Sequence, residues 1–205
     1  MPEISLTDFV DFVAKSGTPK LTHVRQIKSR GDYNPAEDFW RLLRTGIVKH
    51  HRTNEKDKKK LDAIIKDLTD SKKSGNYPNA IKQYKSFLGR KKIKWFKPPK
   101  NTWVFGDLEL RVNPELGLVI NGQRHIVKLY FKKMKLTKSK ADLILLLLQD
   151  GLPTAKLGDE YSILDVQNKK LFSSNAPDPT FLPLLQGEAM NFATIWNQLD
   201  TGTGG

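Results

Sequence analysis

Apolar side chains recur at intervals of three and four along the first half of this chain, and the spacing predicts a series of short helices. Leu6, Phe9, Val10 and Val13 share one face of a helix over 5–14, with Ser5 in the capping position and Asp8 three residues later. Residues 17–31 are polar without a clean period and read as a loop. Asn34, Pro35 and Glu37 form a helix start, after which Phe39, Trp40, Leu42, Leu43, Ile47 and Val48 make a wide stripe down to about residue 51. A third helix is expected over 57–68 with Leu61, Ile64, Ile65 and Leu68 inward. Its lysine-rich first turn opposes the helix dipole, which leaves those lysines for another use. Ile81, Tyr84 and Leu88 predict a fourth helix over 78–88, ended by Gly89.

Beyond Arg90 the period shortens. Residues 103–112 read as one extended strand, ended by Asn113 and Pro114. Two strand-like runs, 118–120 and 124–131, flank Asn121-Gly122, the pairing that a type I′ hairpin turn favours. Thr137 caps an expected helix over 138–149, closed by Gly151 and Pro153. A strand over 161–166 turns back at Asn168 toward Leu171 and Phe172, and a last helix spans 182–199. The predicted class is mixed α+β. A helical, basic region (1–95) precedes an αβββαβ-like core with a small mixed sheet and a C-terminal helix (96–200), and a flexible tail follows (201–205).

Composition narrows this picture. The 205 residues are 38% hydrophobic, with ten Phe and four Trp, enough for a packed core in one domain or in a helical module joined to a mixed one. Without cysteine there is no disulfide, thiolate ligand or cysteine nucleophile. The N-terminus lacks the basic start of a secretory signal, and the apolar run 143–148 is far shorter than the ~18 residues of a membrane span. A cytoplasmic protein without membrane contact is expected; the sequence does not set its oligomeric state.

Charge changes the picture most. Residues 71–106 hold ten Lys or Arg, residues 116–141 hold seven, and neither stretch has an acid; the remainder of the chain sums to −4 against a net +13. Segregation of this kind attracts polyanions, so DNA or RNA is the expected partner, with an acidic protein as the alternative. Candidate contacts are Lys82, Lys85, Arg90, Lys91, Lys92, Lys94, Lys132, Lys133 and Lys135. Trp95 and Phe96, set among lysines, are candidates for stacking on bases. Between the basic stretches lie Asp107, Glu109 and Glu115, the acids placed to hold a divalent cation. His50 and His51 point about 100° apart on their helix and read as cations near its C-terminus.

Pro114-Glu115 stands before one hairpin strand, and Lys128 lies on the other. In this order the residues resemble the PD-(D/E)XK nuclease superfamily, whose αβββαβ core carries a Pro-acid pair at its second strand and a lysine on its third. The resemblance spans about 103–166, and the segment 113–132 is also similar to uncharacterised bacterial proteins. It implies a phosphodiesterase using Mg²⁺ or Mn²⁺, in which Glu115 and a second carboxylate hold the metal and Lys128 stabilises the transition state. The chain departs from the pattern at Ile126, where the second acid is expected. That ligand would then come from Asp107, Glu109 or Asp165. Strand alternation places Ile126, Lys128 and Tyr130 on one face, so the lysine has apolar neighbours. Two readings stay open: a nucleic-acid-binding protein with a nuclease site, and a binding or protein-interaction module that uses its basic surface and needs no cofactor.

Overall fold

The computed structural model describes residues 1–30, 38–66, 68–153 and 155–201. The chain begins with β1 (Glu3–Ser5), α1 (Leu6–Ala14), α2 (Thr18–Arg30) and α3 (Arg41–Arg52), followed by a 3₁₀ helix (Lys58–Ile65) and α4 (Ser71–Leu88). Five strands come next: β2 (Ile93–Phe96), β3 (Asn101–Phe105), β4 (Leu108–Val112), β5 (Leu116–Ile120) and β6 (Gln123–Tyr130). Then α5 (Lys138–Gly151), β7 (Glu160–Asp165), β8 (Lys170–Ser174) and α6 (Leu182–Thr201) complete the mixed α+β fold.

At its centre is the hairpin β5–β6. Asn121 and Gly122 both take positive φ, 51° and 98°, as a type I′ turn requires, and the strands pair antiparallel from Leu116–Val127 to Ile120–Gln123. Outward from this hairpin the sheet runs β2-β5-β6-β7-β8. β7 lies parallel to β6, because α5 carries the chain back across the sheet, and the other pairs are antiparallel. A second sheet, β1-β4-β3, joins the first strand of the chain to the β3–β4 hairpin.

Both faces of the larger sheet are covered. Ile126, Tyr130 and Ile163 enter a core built with α1, α2, α5, α6 and the small sheet; Val127, Leu129, Phe131 and Leu164 enter another built with α3, the 3₁₀ helix and α4. Alternation along β6 thus assigns successive side chains to different cores, and it sends Lys128 to the face of Ile126 and Tyr130. Gly117 is required where β2 crosses β5, since a Cβ there would lie 2.4 Å from the carbonyl oxygen of Phe96.

Several elements differ from the sequence reading. The polar stretch after Gly17 is helix α2, held by a narrow stripe of His23, Val24 and Ile27 that is too sparse to mark a period. The helix expected over 57–68 is the shorter 3₁₀ segment, and α4 begins at Ser71, with Asp70 accepting the Lys73 N–H and Pro78 inside. The single strand expected over 103–112 is a hairpin that turns at Gly106 (φ 53°). Two short strands, β1 and β2, are additional; the expected division at 95/96 falls within β2. The helix start at Asn34-Pro35 lies outside the described residues, as do residues 202–205 of the tail, whereas Thr201 ends α6. No helix among the described residues is long and apolar enough to cross a membrane.

Candidate functional site

Two concave regions lie at opposite ends of the β5–β6 hairpin. The first, of about 640 Å³, is bordered by the start of β5, the end of β6, α1 and the residues leading into α3. Here the pair singled out in the sequence meets. Lys128 is 1% exposed, and its Nζ donates to Glu115 Oε1 at 2.5 Å and to Thr7 Oγ1 at 2.7 Å. Glu115 Oε2 accepts the Leu129 N–H at 2.8 Å, so one carboxylate holds both the lysine and the backbone of the neighbouring strand. Arg44 Nε is 3.9 Å from Glu115, and the same guanidinium pairs with Asp38.

The other proposed acids do not join them. Asp107 is exposed in the β3–β4 turn and Glu109 lies on β4 in the smaller sheet; neither lines this cleft. Asp165 is buried at the end of β7. Its Oδ2 accepts the Leu136 N–H at 3.2 Å and the Asn168 Nδ2–H at 2.9 Å, and its Oδ1 accepts the Asn168 N–H at 3.2 Å, which commits it to the turn into β8. The acids that do line the cleft with Glu115 are Asp8, Asp11 and Asp38, which come from the helical half of the chain, where no sequence motif marks them.

Each of these carboxylates already faces a cation. Asp8 pairs with Arg30 at 3.0 Å, Asp11 with Lys132 at 2.8 Å, Asp38 with Arg44, and Glu115 with Lys128. No group of three or more His, Asp or Glu among the described residues is arranged to hold a metal ion. A divalent cation at Glu115 would have to displace a buried ammonium and compete with the strand N–H. The residues of the cleft therefore do not fit the Mg²⁺ or Mn²⁺ that the resemblance implies.

The second region is a groove of about 1200 Å³ at the hairpin turn. Six cations line it: Lys56, Lys58, Arg90, Lys91, Lys92 and Lys94. Gly89, with φ 47°, ends α4 and turns the basic segment toward β2. Reciprocal bonds between Lys92 and Asn121, 3.0 Å and 2.9 Å, then fasten that segment to the hairpin. Lys58 donates to the Gly89 carbonyl, and Lys91 donates to the Phe87 carbonyl while lying 4.7 Å from the centre of that ring. Among the described residues, the side chains of Lys56, Arg90, Lys92 and Lys94 have no ion-pair or hydrogen-bond partner. The one acid in the lining, Glu55, is held by Lys60 at 2.5 Å, and that bond with the Asp57 N–H lowers its pKa.

Five of the expected contacts, Arg90, Lys91, Lys92, Lys94 and Trp95, converge on this groove. Others do not. Lys85 bonds Asp62 at 2.7 Å, Lys82 is exposed on α4 away from the groove, Lys132 belongs to the cleft, and Lys133 and Lys135 are exposed in the loop before α5. Phe96 is covered by the Arg124 guanidinium at 3.7 Å. The lysines of the third predicted helix find a use here through Lys58, and Lys56 joins it although no sequence pattern marked it.

His50 and His51 also line the groove, but as buried groups and not as surface cations. His51 bonds the Tyr84 hydroxyl at 2.7 Å; burial, with His50 beside it, pushes its pKa down to about 4. Burial lowers His50 as well. Glu115 is thus not at the centre of the cationic surface, since the six strand steps from Glu115 to Asn121 set cleft and groove about 20 Å apart. No protein-family model, curated protein or solved structure matches the chain.

Proposed function

We propose that this protein binds nucleic acid through the groove at the β5–β6 turn. The observation that carries the reading is six cations around one groove whose single acid is already paired. Such a surface neutralises several phosphates together and releases their counterions, a gain available from any sequence of DNA or RNA. Rigid placement adds to it: the basic segment is tied at Gly89, Asn121 and Phe87, so less conformational freedom is lost on binding than for lysines on a mobile tail.

Two triple variants with the same loss of charge test the reading. Replacing Arg90, Lys92 and Lys94 by Ala should weaken binding to DNA and RNA oligomers by roughly tenfold or more, whereas replacing Lys82, Lys133 and Lys135 should change it by less than about threefold. Equal losses in the two would reject the groove as the site. An acidic protein partner would instead survive nuclease treatment in a pull-down.

The Glu115–Lys128 pair favours a second reading, phosphodiester hydrolysis in the cleft. Within the larger sheet, α4, β2, β5, β6, α5 and β7 follow the order αβββαβ, with the β3–β4 hairpin inserted after the first strand, and Glu115 and Lys128 fall at its second and third strands. Against it stands the pairing of every carboxylate in the cleft. Cleavage assays with and without Mg²⁺ or Mn²⁺, on wild type, Glu115→Ala and Lys128→Ala, decide it. Cleavage lost in both variants supports hydrolysis at this pair, and cleavage unchanged in both rejects it.

A further inference from the structure

The groove is not lined by charge alone. Leu88, Ile93 and Trp95 form an apolar wall beside the cations, and Val119 lines the groove from the opposite sheet face with Lys94. Trp95 is only partly buried, lies on β2 opposite Leu118, and carries the one indole N–H among the described residues that is buried without a hydrogen-bond partner. β2 is also the edge of its sheet, so its outer side faces no further strand among the described residues.

A duplex offers this wall little, because its bases are stacked and paired and only phosphates and sugars reach a groove. A strand with unstacked bases offers both a flat apolar face and flanking phosphates, and aromatic side chains beside lysines bind such strands by stacking. We infer that the groove takes single-stranded nucleic acid, with one base against the Trp95 indole and the neighbouring phosphates on Lys56, Arg90, Lys92 and Lys94. This inference rests on the binding function proposed above and adds to it the form of the ligand.

The test compares three fluorescent probes on the full chain: a short oligothymidylate, an abasic oligomer with the same number of phosphates, and a duplex of the same length. Wild type should bind the oligothymidylate roughly tenfold more tightly than the abasic oligomer, the value of about one stacked base. It should also prefer the oligothymidylate to the duplex. Trp95→Ala should remove the preference for bases while leaving abasic affinity within about twofold, and Trp95→Phe, which keeps a ring, should retain most of it. Equal wild-type affinity for thymidylate and abasic strands overturns the inference and leaves the binding function standing, as does tighter binding of the duplex. Equal loss for both strands in Trp95→Ala overturns it too, since that marks a structural role. Absence of binding to every probe overturns the binding function itself.

Discussion

Lys128 and Glu115 form an ion pair inside the protein, and its removal in parts has a calculable consequence. With side chains 1% and 11% exposed, neither charge has much water to fall back on. Breaking such a pair from one side leaves an uncompensated charge, at a cost of about 3–5 kcal/mol. The two single variants should differ within that range. Lys128→Met leaves Glu115 with the Leu129 N–H and with Arg44 at 3.9 Å, so a loss near the lower end, about 3 kcal/mol, is expected. Glu115→Leu leaves a buried ammonium with Thr7 as its remaining hydrogen-bond partner and frees part of the β6 backbone, so a loss nearer 5 kcal/mol is expected. Since the double variant leaves no unpaired charge, it should lose at most about 2 kcal/mol, well below the sum. Urea denaturation at pH 7 measures all four proteins. In a chain of this size Lys128→Met should also lower the melting temperature by about 6–12 °C. Additive single losses, or a cost under about 1 kcal/mol for Lys128→Met, would refute this account of the cleft.

The remaining predictions concern titration and the β7–β8 turn. Because His51 titrates near 4 in the folded protein and near 6.5 when unfolded, the unfolded chain binds more protons between those values. Its contribution therefore falls as the pH drops through that window, by about 3 kcal/mol in all, and is flat above it. Urea midpoints from pH 7.5 to 4 should show this, with a shallower decline in His51→Gln, which can still bond Tyr84; His23, His50 and His125, also lowered by burial, keep some slope in the variant. An unchanged slope would count against a buried neutral His51. Asp165→Ala strands the Leu136 and Asn168 N–H groups and should cost about 2–4 kcal/mol in denaturation while leaving oligomer affinity unaltered. A selective loss of affinity at unchanged stability would restore Asp165 to a site.

What could be read from the sequence follows from the range over which each signal acts. The Asn121-Gly122 turn and the Thr137 cap are local chemistry, and both formed where the residues indicate. Glu115 and Lys128 were brought together by hairpin register, which the turn itself sets. By contrast, Asp8, Asp11, Asp38 and Thr7 reach the cleft through the packing of helices against a sheet formed much later in the chain, and no local pattern encodes that. The two basic stretches look continuous as a sequence because only short connections separate them. In space β5 and β6 carry their ends apart, so lysines close in number divide between groove, cleft and open surface. A short apolar stripe, as in α2, and a strand interrupted by lysine, as in β2, fall below what periodicity can resolve.

The central claim is that the groove cations act together on phosphates. Its most direct test is the slope of log K against log salt for a single-stranded oligomer, measured with wild type and with Lys92→Ala/Lys94→Ala. Four engaged cations predict a wild-type slope of about −3, and loss of two predicts a flattening of about 1.4. A wild-type slope near zero, or one that the double variant leaves unchanged, would contradict it.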